Sequence, residues 1–229
     1  MRLVFFGDSL TWGGYGGNFV DEIKRLCPQH QIINAGHGGN TVLNLLHRLD
    51  RDVLAHHPDG VFVMVGGNDA ISYSQPEARP YYRRRHGAPD GSMTIDLFTR
   101  TYRELLTKLQ LAHILTWIGL EPNEYNPELV EAQRLFNNHA REEAESLGVP
   151  VIDFMEAFPP LGIKDRPPLS IKSIRLIGQR ETDGWNDFES ERAREGYTFS
   201  FDGMHITPET AAKMAPMIVE FLNLSATPR

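Results

Sequence analysis

Ser9 lies in Gly7-Asp8-Ser9-Leu10, directly after the apolar run Leu3-Val4-Phe5-Phe6. A serine hydroxyl attacks a carbonyl only when a base removes its proton. His205, in Asp202-Gly203-Met204-His205, is suited to that task because imidazole titrates near neutral pH. Asp202, three residues earlier, can fix the ring's tautomer and stabilise the imidazolium that forms. The tetrahedral intermediate also needs donors for its negative oxygen. Asn68, in Gly66-Gly67-Asn68-Asp69, offers a side-chain amide, the Ser9 N–H is a second donor, and Asn34-Ala35-Gly36-His37-Gly38-Gly39-Asn40-Thr41 offers backbone N–H groups that glycines leave approachable. These residues suit acyl chemistry through a covalent serine intermediate. Asp8 is expected to hydrogen-bond the nucleophile turn, and Asp69 to organise the loop carrying Asn68.

Such a set works only if the elements around it bring distant segments together. Short runs rich in branched residues predict strands at Leu3–Phe6, Gln31–Asn34, Gly60–Val65, His113–Ile118 and Val149–Ile152. They are apolar on both faces, as strands covered by helices are. Asn18 can cap a helix bearing Phe19, Ile23 and Leu26, and Thr41 one bearing Val42, Leu45, Leu46, Leu49 and Val53. Ile95, Phe98, Tyr102, Leu105, Leu106 and Leu109 mark a third. A fourth runs from Asn126-Pro127 to Gly148, and the last starts at Thr207-Pro208. The alternation predicts an α/β fold with a parallel sheet between helical layers and right-handed crossovers. A strand end in such a sheet is where chemistry is placed. The expectation is one domain over residues 1–229, with insertions at about 71–93 and 158–200 bordering the site.

The four blocks, in their order and over nearly the whole chain, resemble those of the SGNH (GDSL-type) hydrolase family of esterases and lipases. The resemblance implies a flavodoxin-like three-layer α/β/α sandwich, a Ser9-His205-Asp202 triad, and an oxyanion hole from Ser9, a glycine of the second block and Asn68. Aligning the stretch from asparagine to threonine assigns that glycine to Gly39, with Gly36 and Gly38 in the same run. The resemblance implies no metal and no cofactor. It implies carboxylic ester or thioester substrates, among them lipids, acyl carriers and acetylated sugars.

Composition bounds the alternatives. The net charge of −7 argues against a general partner for nucleic acid or anionic membrane. Cys27 is the one cysteine, so neither an internal disulfide nor a multi-cysteine zinc site can form. No stretch approaches the ~20 apolar residues that span a bilayer, and the first apolar run is too short for a signal peptide. A cytoplasmic protein is expected, although a trimmed secreted chain would look the same, and the Asn223-Leu224-Ser225 sequon carries little weight. Oligomeric state is not readable. The remaining histidines show no metal-ligand spacing; His37 lies in the second-block loop, where it can line a pocket, and Trp12 and Tyr15 can wall the acyl site. Arg83-Arg84-Arg85 reads as solvated, favouring anionic substrates only if it reaches the cleft. The expected function is hydrolysis of short-acyl esters, small or carbohydrate-borne, through an acyl-enzyme on Ser9. An acyl-CoA thioesterase, lysophospholipase or acyltransferase would use the same triad. A metal-dependent phosphoesterase or a non-catalytic binding domain are the competing classes.

Overall fold

Side chains alternate across a strand, so the first strand decides the layering. Its Leu3 and Phe5 join one buried cluster, while Val4 and Phe6 join another on the opposite face. Each such side chain contributes about 1.5–3 kcal/mol by leaving water. The computed structural model describes residues 1–224; Ser225 of the sequon lies outside them. Among these, β1 (Arg2–Gly7), β2 (Gln31–Gly36), β3 (Gly60–Met64), β4 (Leu115–Leu120) and β5 (Val151–Asp153) pair all-parallel in the order β2-β1-β3-β4-β5. That is the flavodoxin-like order.

The helices follow in sequence: α1 (Ser9–Trp12), α2 (Phe19–Leu26), α3 (Val42–Asp52), α4 (Gly67–Ser74), α5 (Arg79–Tyr81) and α6 (Ile95–Leu111). Then come α7 (Pro127–Ser146), α8 (Phe154–Ala157), α9 (Ile171–Thr182), α10 (Phe188–Glu195) and α11 (Pro208–Phe221). Helices α2 and α11 bury their apolar faces against Leu3, Phe5, Phe62 and Met64. Helices α3, α6 and α7 cover Val4, Phe6, Val61 and Val63 on the other side. The three layers expected from the sequence are therefore present.

The sheet order reverses between β1 and β3. The crevice there opens at the C-terminal ends of both strands, directly before Ser9 and Asn68.

Several boundaries differ from expectation. β4 starts at Leu115 because His113 adopts φ 56°, incompatible with a strand. Ser9 opens a short helix whose first residue follows the Asp8 cap. Residues 71–93, expected as a loop, are mostly helical turns: the end of α4, a 3-10 turn at Pro76–Ala78, α5, a π turn at Tyr82–His86 and another 3-10 turn at Pro89–Gly91. Buried Ala78, Tyr82, Ala88 and Met93 make this segment part of the core. The other insertion, 158–200, contains α9 and α10, and the Leu169 N–H ties it to Gln75 Oε1 at 2.9 Å.

Candidate active site

Strand β1 ends at Gly7, a position where no side chain fits. A Cβ would stand 2.1 Å from Thr11 Oγ1 and 2.3 Å from the Met64 carbonyl. The chain turns, Asp8 Oδ1 accepts from the Leu10 N–H at 3.0 Å, and Ser9 becomes the first helical residue. As such it keeps its N–H outside the helix's own ladder. Two side chains clamp the turn. Asn34 Nδ2 donates to the Thr11 and Trp12 carbonyls. Arg48 is buried over the Phe6 ring and donates to the Gly7 carbonyl at 2.7 Å, the Ala35 carbonyl at 2.8 Å and Asn40 Oδ1 at 2.8 Å, with Asp52 at 2.9 Å as counter-charge.

His205 reaches Ser9 from the other end of the chain, with Nε2 2.9 Å from Ser9 Oγ. Its Nδ1 lies 2.7 Å from Asp202 Oδ2. An ionised carboxylate only accepts, so Nδ1 carries the proton and Nε2 is free to take one from the serine. Asp202 Oδ1 meanwhile accepts from the backbone N–H groups of Met204 at 3.0 Å and His205 at 2.7 Å. Burial works to raise the Asp202 pKa, but the neighbouring imidazole and these hydrogen bonds outweigh it and hold the carboxyl below its ordinary value. Burial likewise works to lower His205, and the Asp202 charge and hydrogen bond reverse the sign, raising it above its usual 6.5. Tyr15 packs edge-on to the imidazole and Phe201 stacks against it.

The loop that carries this pair hangs from Glu124, a buried carboxylate in the loop between β4 and α7. It accepts from the backbone N–H groups of Thr198, Phe199 and Ser200 and from the hydroxyls of Thr198 and Ser200. The Ser200 hydroxyl in turn accepts from the Gly203 N–H at 2.9 Å. A second tie joins the two ends of the site, where the Gly17 N–H donates to the Ile206 carbonyl at 2.8 Å.

Gly39 and Asn68 face the same cleft as Ser9 and His205. Gly39 holds φ 78°, and a Cβ there would strike Tyr81 Oη and His86 Nε2, each at 2.5 Å. Its N–H donates to no atom among the described residues. The Asn68 amide is fixed at both ends: Nδ2 donates to Asp8 Oδ2 at 2.6 Å, and Oδ1 accepts from the Tyr82 hydroxyl at 2.8 Å. Its second amide hydrogen remains for a ligand. Asp69 accepts from the Val42 N–H at the start of α3, tying the third block to the second. Burial pushes the Asp69 carboxyl up to about 8. The expected roles of Asp8 and Asp69 in holding turns thus have direct counterparts.

The cleft encloses about 640 Å³, open space at its mouth included. Ile71, Leu169, Ile174 and Ile177 give it apolar walls, and Tyr15 and Tyr81 are further lining residues. Two residues expected at the pocket are elsewhere. Trp12 turns its ring onto Gly14 and the edge of Tyr15. His37 points to solvent, 3.7 Å from Asp52. Arg83, Arg84 and Arg85 lie on the outer face of the π turn and are not among the lining residues. Sequence reasoning missed Arg48, Glu121, Glu124 and Tyr82, and the isoleucines of α9. The spacing of Ile171, Ile174 and Ile177 after the Ser170 cap was the available signal for α9. Among the described residues, no group of three or more His, Cys, Asp or Glu is placed to hold a metal, and no helix is long and apolar enough to cross a membrane.

A strand-end serine thus stands in hydrogen-bond contact with a histidine–aspartate pair at the switch point of a five-stranded parallel sheet. The chain belongs to the GDSL-like lipase/acylhydrolase family, whose model matches residues 5–212; it is a family of carboxylic ester hydrolases. It is 30% identical over 148 residues to an acetylxylan esterase of Geobacillus stearothermophilus, a match covering 55% of this chain and 64% of that relative. The chain therefore spans less than two thirds of the curated relative it matches. Among solved structures, the acetylxylan esterase Axe2 of the same organism superposes with TM-score 0.66 at 18% identity, over 100% of this chain and 97% of the other. A lipase/acylhydrolase of Enterococcus faecalis gives TM-score 0.65 at 20% identity, over 100% and 99%. At those identities the likeness is one of fold.

Proposed function

We propose that the protein hydrolyses carboxylic esters of short acyl groups through an acyl-enzyme on Ser9, with acetylated carbohydrates as the leading substrate class. Ser9 Oγ attacks the ester carbonyl while His205 Nε2 takes its proton. The carbonyl oxygen becomes anionic and accepts from the Ser9 N–H, the Gly39 N–H and the free hydrogen of the Asn68 amide. Losing one such donor typically costs about 3 kcal/mol of barrier. Collapse of the intermediate breaks the ester C–O bond, and His205 returns the proton to the departing alcohol. Water then repeats the sequence on the acyl-serine and frees the acid. Asp202 keeps the imidazole in the productive tautomer throughout.

The observation that carries this reading is the unbroken chain from Ser9 Oγ through His205 to Asp202, at 2.9 and 2.7 Å, opening on a cleft shared with Gly39 and Asn68. The acetyl preference draws its support from the acetylxylan esterase to which the chain is 30% identical over 148 residues. An organophosphonate is expected to label Ser9 stoichiometrically, and Ser9→Ala to abolish turnover with the fold intact. Near-normal hydrolysis by Ser9→Ala would exclude the mechanism. Across p-nitrophenyl esters of graded length the rate is expected to fall beyond the shortest acyl groups, and acetylated xylo-oligosaccharides are expected to release acetate. A rate that climbs with chain length would overturn the substrate class.

A further inference from the structure

The insertion at 158–200 builds a second recess that the triad does not use. Helix α9 ends at Thr182, and Gly184, with φ 66°, turns the chain back so that the Trp185 N–H donates to the Arg180 carbonyl at 2.9 Å. The same turn lays the Arg180 guanidinium over the Trp185 ring, 4.5 Å from its centroid. Phe188, the first residue of α10, meets Trp185 edge-on with centroids 5.0 Å apart. Phe201 of the acid–base loop lies 5.0 Å from Phe188 and 5.6 Å from Trp185. Trp185 and Phe188 are only half-buried, and both line the recess. It encloses about 220 Å³, open space at its mouth included, and Tyr15 and Ile177 are walls common to it and to the reaction cleft.

We propose that this recess is the subsite for the leaving alcohol and that it takes one sugar ring, stacked on Trp185 and Phe188 and hydrogen-bonded by Arg180 and Glu181. The inference rests on the acyl-enzyme reading above and assigns the residues that would bind the carbohydrate part of its substrate.

The direction of proton return fixes the place. The departing oxygen must come within hydrogen-bond reach of His205 Nε2, so the rest of the alcohol passes over the residues that flank the imidazole. Those residues are Tyr15, 5.1 Å from the imidazole, and Phe201, stacked at 6.1 Å, and both also line the recess. The polar groups then choose among alcohols, because aromatic rings accept apolar chains, cations and the C–H faces of sugars. Glu181 lines the recess with a carboxylate that has no donor among the described residues. Arg180 gives one nitrogen to Glu191 at 2.8 Å and keeps further N–H groups for a ligand. A hydrocarbon chain would cover both groups and pair with neither, at a desolvation cost. A cationic alcohol would gain Glu181 but lie against the Arg180 guanidinium. A neutral polyhydroxylated ring satisfies the aromatic face, the acceptor and the donor together.

The test uses three acetate esters: methyl acetate, whose alcohol is too small to reach the recess, an acetylated methyl xyloside, and acetylcholine. The ratio of kcat/KM for the xyloside to that for methyl acetate is expected to fall about tenfold in Trp185→Ala, mostly through KM, as loss of a stacked ring does. Glu181 is exposed, so its variants probe the recess without disturbing the packing of α9. Glu181→Leu is expected to lower the same ratio about threefold, and Glu181→Gln, which still accepts from and donates to hydroxyls, to keep most of it. In Ser9→Ala, methyl β-xyloside should change the tryptophan emission, and adding Trp185→Phe should remove that change. A ratio unmoved by both Trp185→Ala and Glu181→Leu, no emission change, or a preference for acetylcholine that Glu181→Gln abolishes would sink the proposal. The two readings fail separately. Methyl acetate turnover that does not depend on Ser9 would indict the acyl-enzyme, while the emission change reports sugar binding without any turnover.

Discussion

The two halves of the site are held in different ways. The Ser9 turn is built into the sheet: β1 pairs on both sides, a side chain at Gly7 would clash, and Arg48 and Asn34 bond the surrounding carbonyls. The Asp202–His205 loop has one isolated bridge, between Ser200 and Ile206, and is held by scattered hydrogen bonds from Gly17, Thr207 and Thr210 and, most densely, by the buried carboxylate of Glu124. Strand pairing and many separate contacts fix the proposed nucleophile, whereas hydrogen bonds centred on one carboxylate hub dominate the hold on the proposed base. The difference implies that single substitutions should damage the acid–base side more than the nucleophile side.

The largest effect is expected inside the hub's cargo. Asp202→Asn should lower kcat/KM by about 10⁴ through the wrong imidazole tautomer, with little change in the unfolding midpoint. A loss of less than tenfold would show that His205 needs no orienting carboxylate. Next, Glu124→Gln puts an amide N–H among five donors, and urea unfolding should show a loss of about 3 kcal/mol together with a fall in kcat. Stability lost without any change in kcat would detach the hub from the chemistry. Arg48→Lys should cost less, about 1–2 kcal/mol, because one ammonium cannot span the Gly7 and Ala35 carbonyls and Asn40. If that substitution proves more damaging than Glu124→Gln, the proposed contrast is reversed.

The smallest effect concerns pH. The proposed mechanism needs neutral His205, so kcat/KM should rise with pH through the His205 pKa. Because Asp202 raises that value, the midpoint of the acid limb should lie above 6.5. In Asp202→Asn the burial penalty is opposed only by the lesser pull of the Asp8 charge, and the midpoint should move down. A profile unaffected by that substitution would mean that another group sets the limb.

What the sequence showed follows the same division. The strands and the first, second, third and last blocks were legible because a buried parallel strand needs a dense apolar run and a strand-end turn needs small residues. The order of the sheet was not, since the spacing of strands says nothing about which neighbours pair. Glu121, Glu124 and Arg48 were illegible for a different reason. A single charged residue reads as surface until the fold closes around it, and only its partners reveal that it is buried. Tyr82 was hidden in a stretch expected to be a loop, because a segment of short 3-10, α and π turns has no sustained period. Helix α9 was missed although its capped isoleucines recur at helical spacing, and α10 because its one buried residue is Glu191, which leaves no apolar patterning to read. Trp12 and His37 were placed at the pocket by proximity in sequence, whereas Trp12 packs on Gly14 and Tyr15 and His37 faces solvent beside Asp52.

Ser9 and His205 are separated by 196 positions, and their meeting depends on α11 docking beside α2 on one face of the sheet. Closing so long a contour is among the slowest steps a chain of this size can take. On refolding from urea, ellipticity should recover first and esterase turnover last. Function would then serve as a clock for the final docking event, and simultaneous recovery of the two signals would show that the termini meet early.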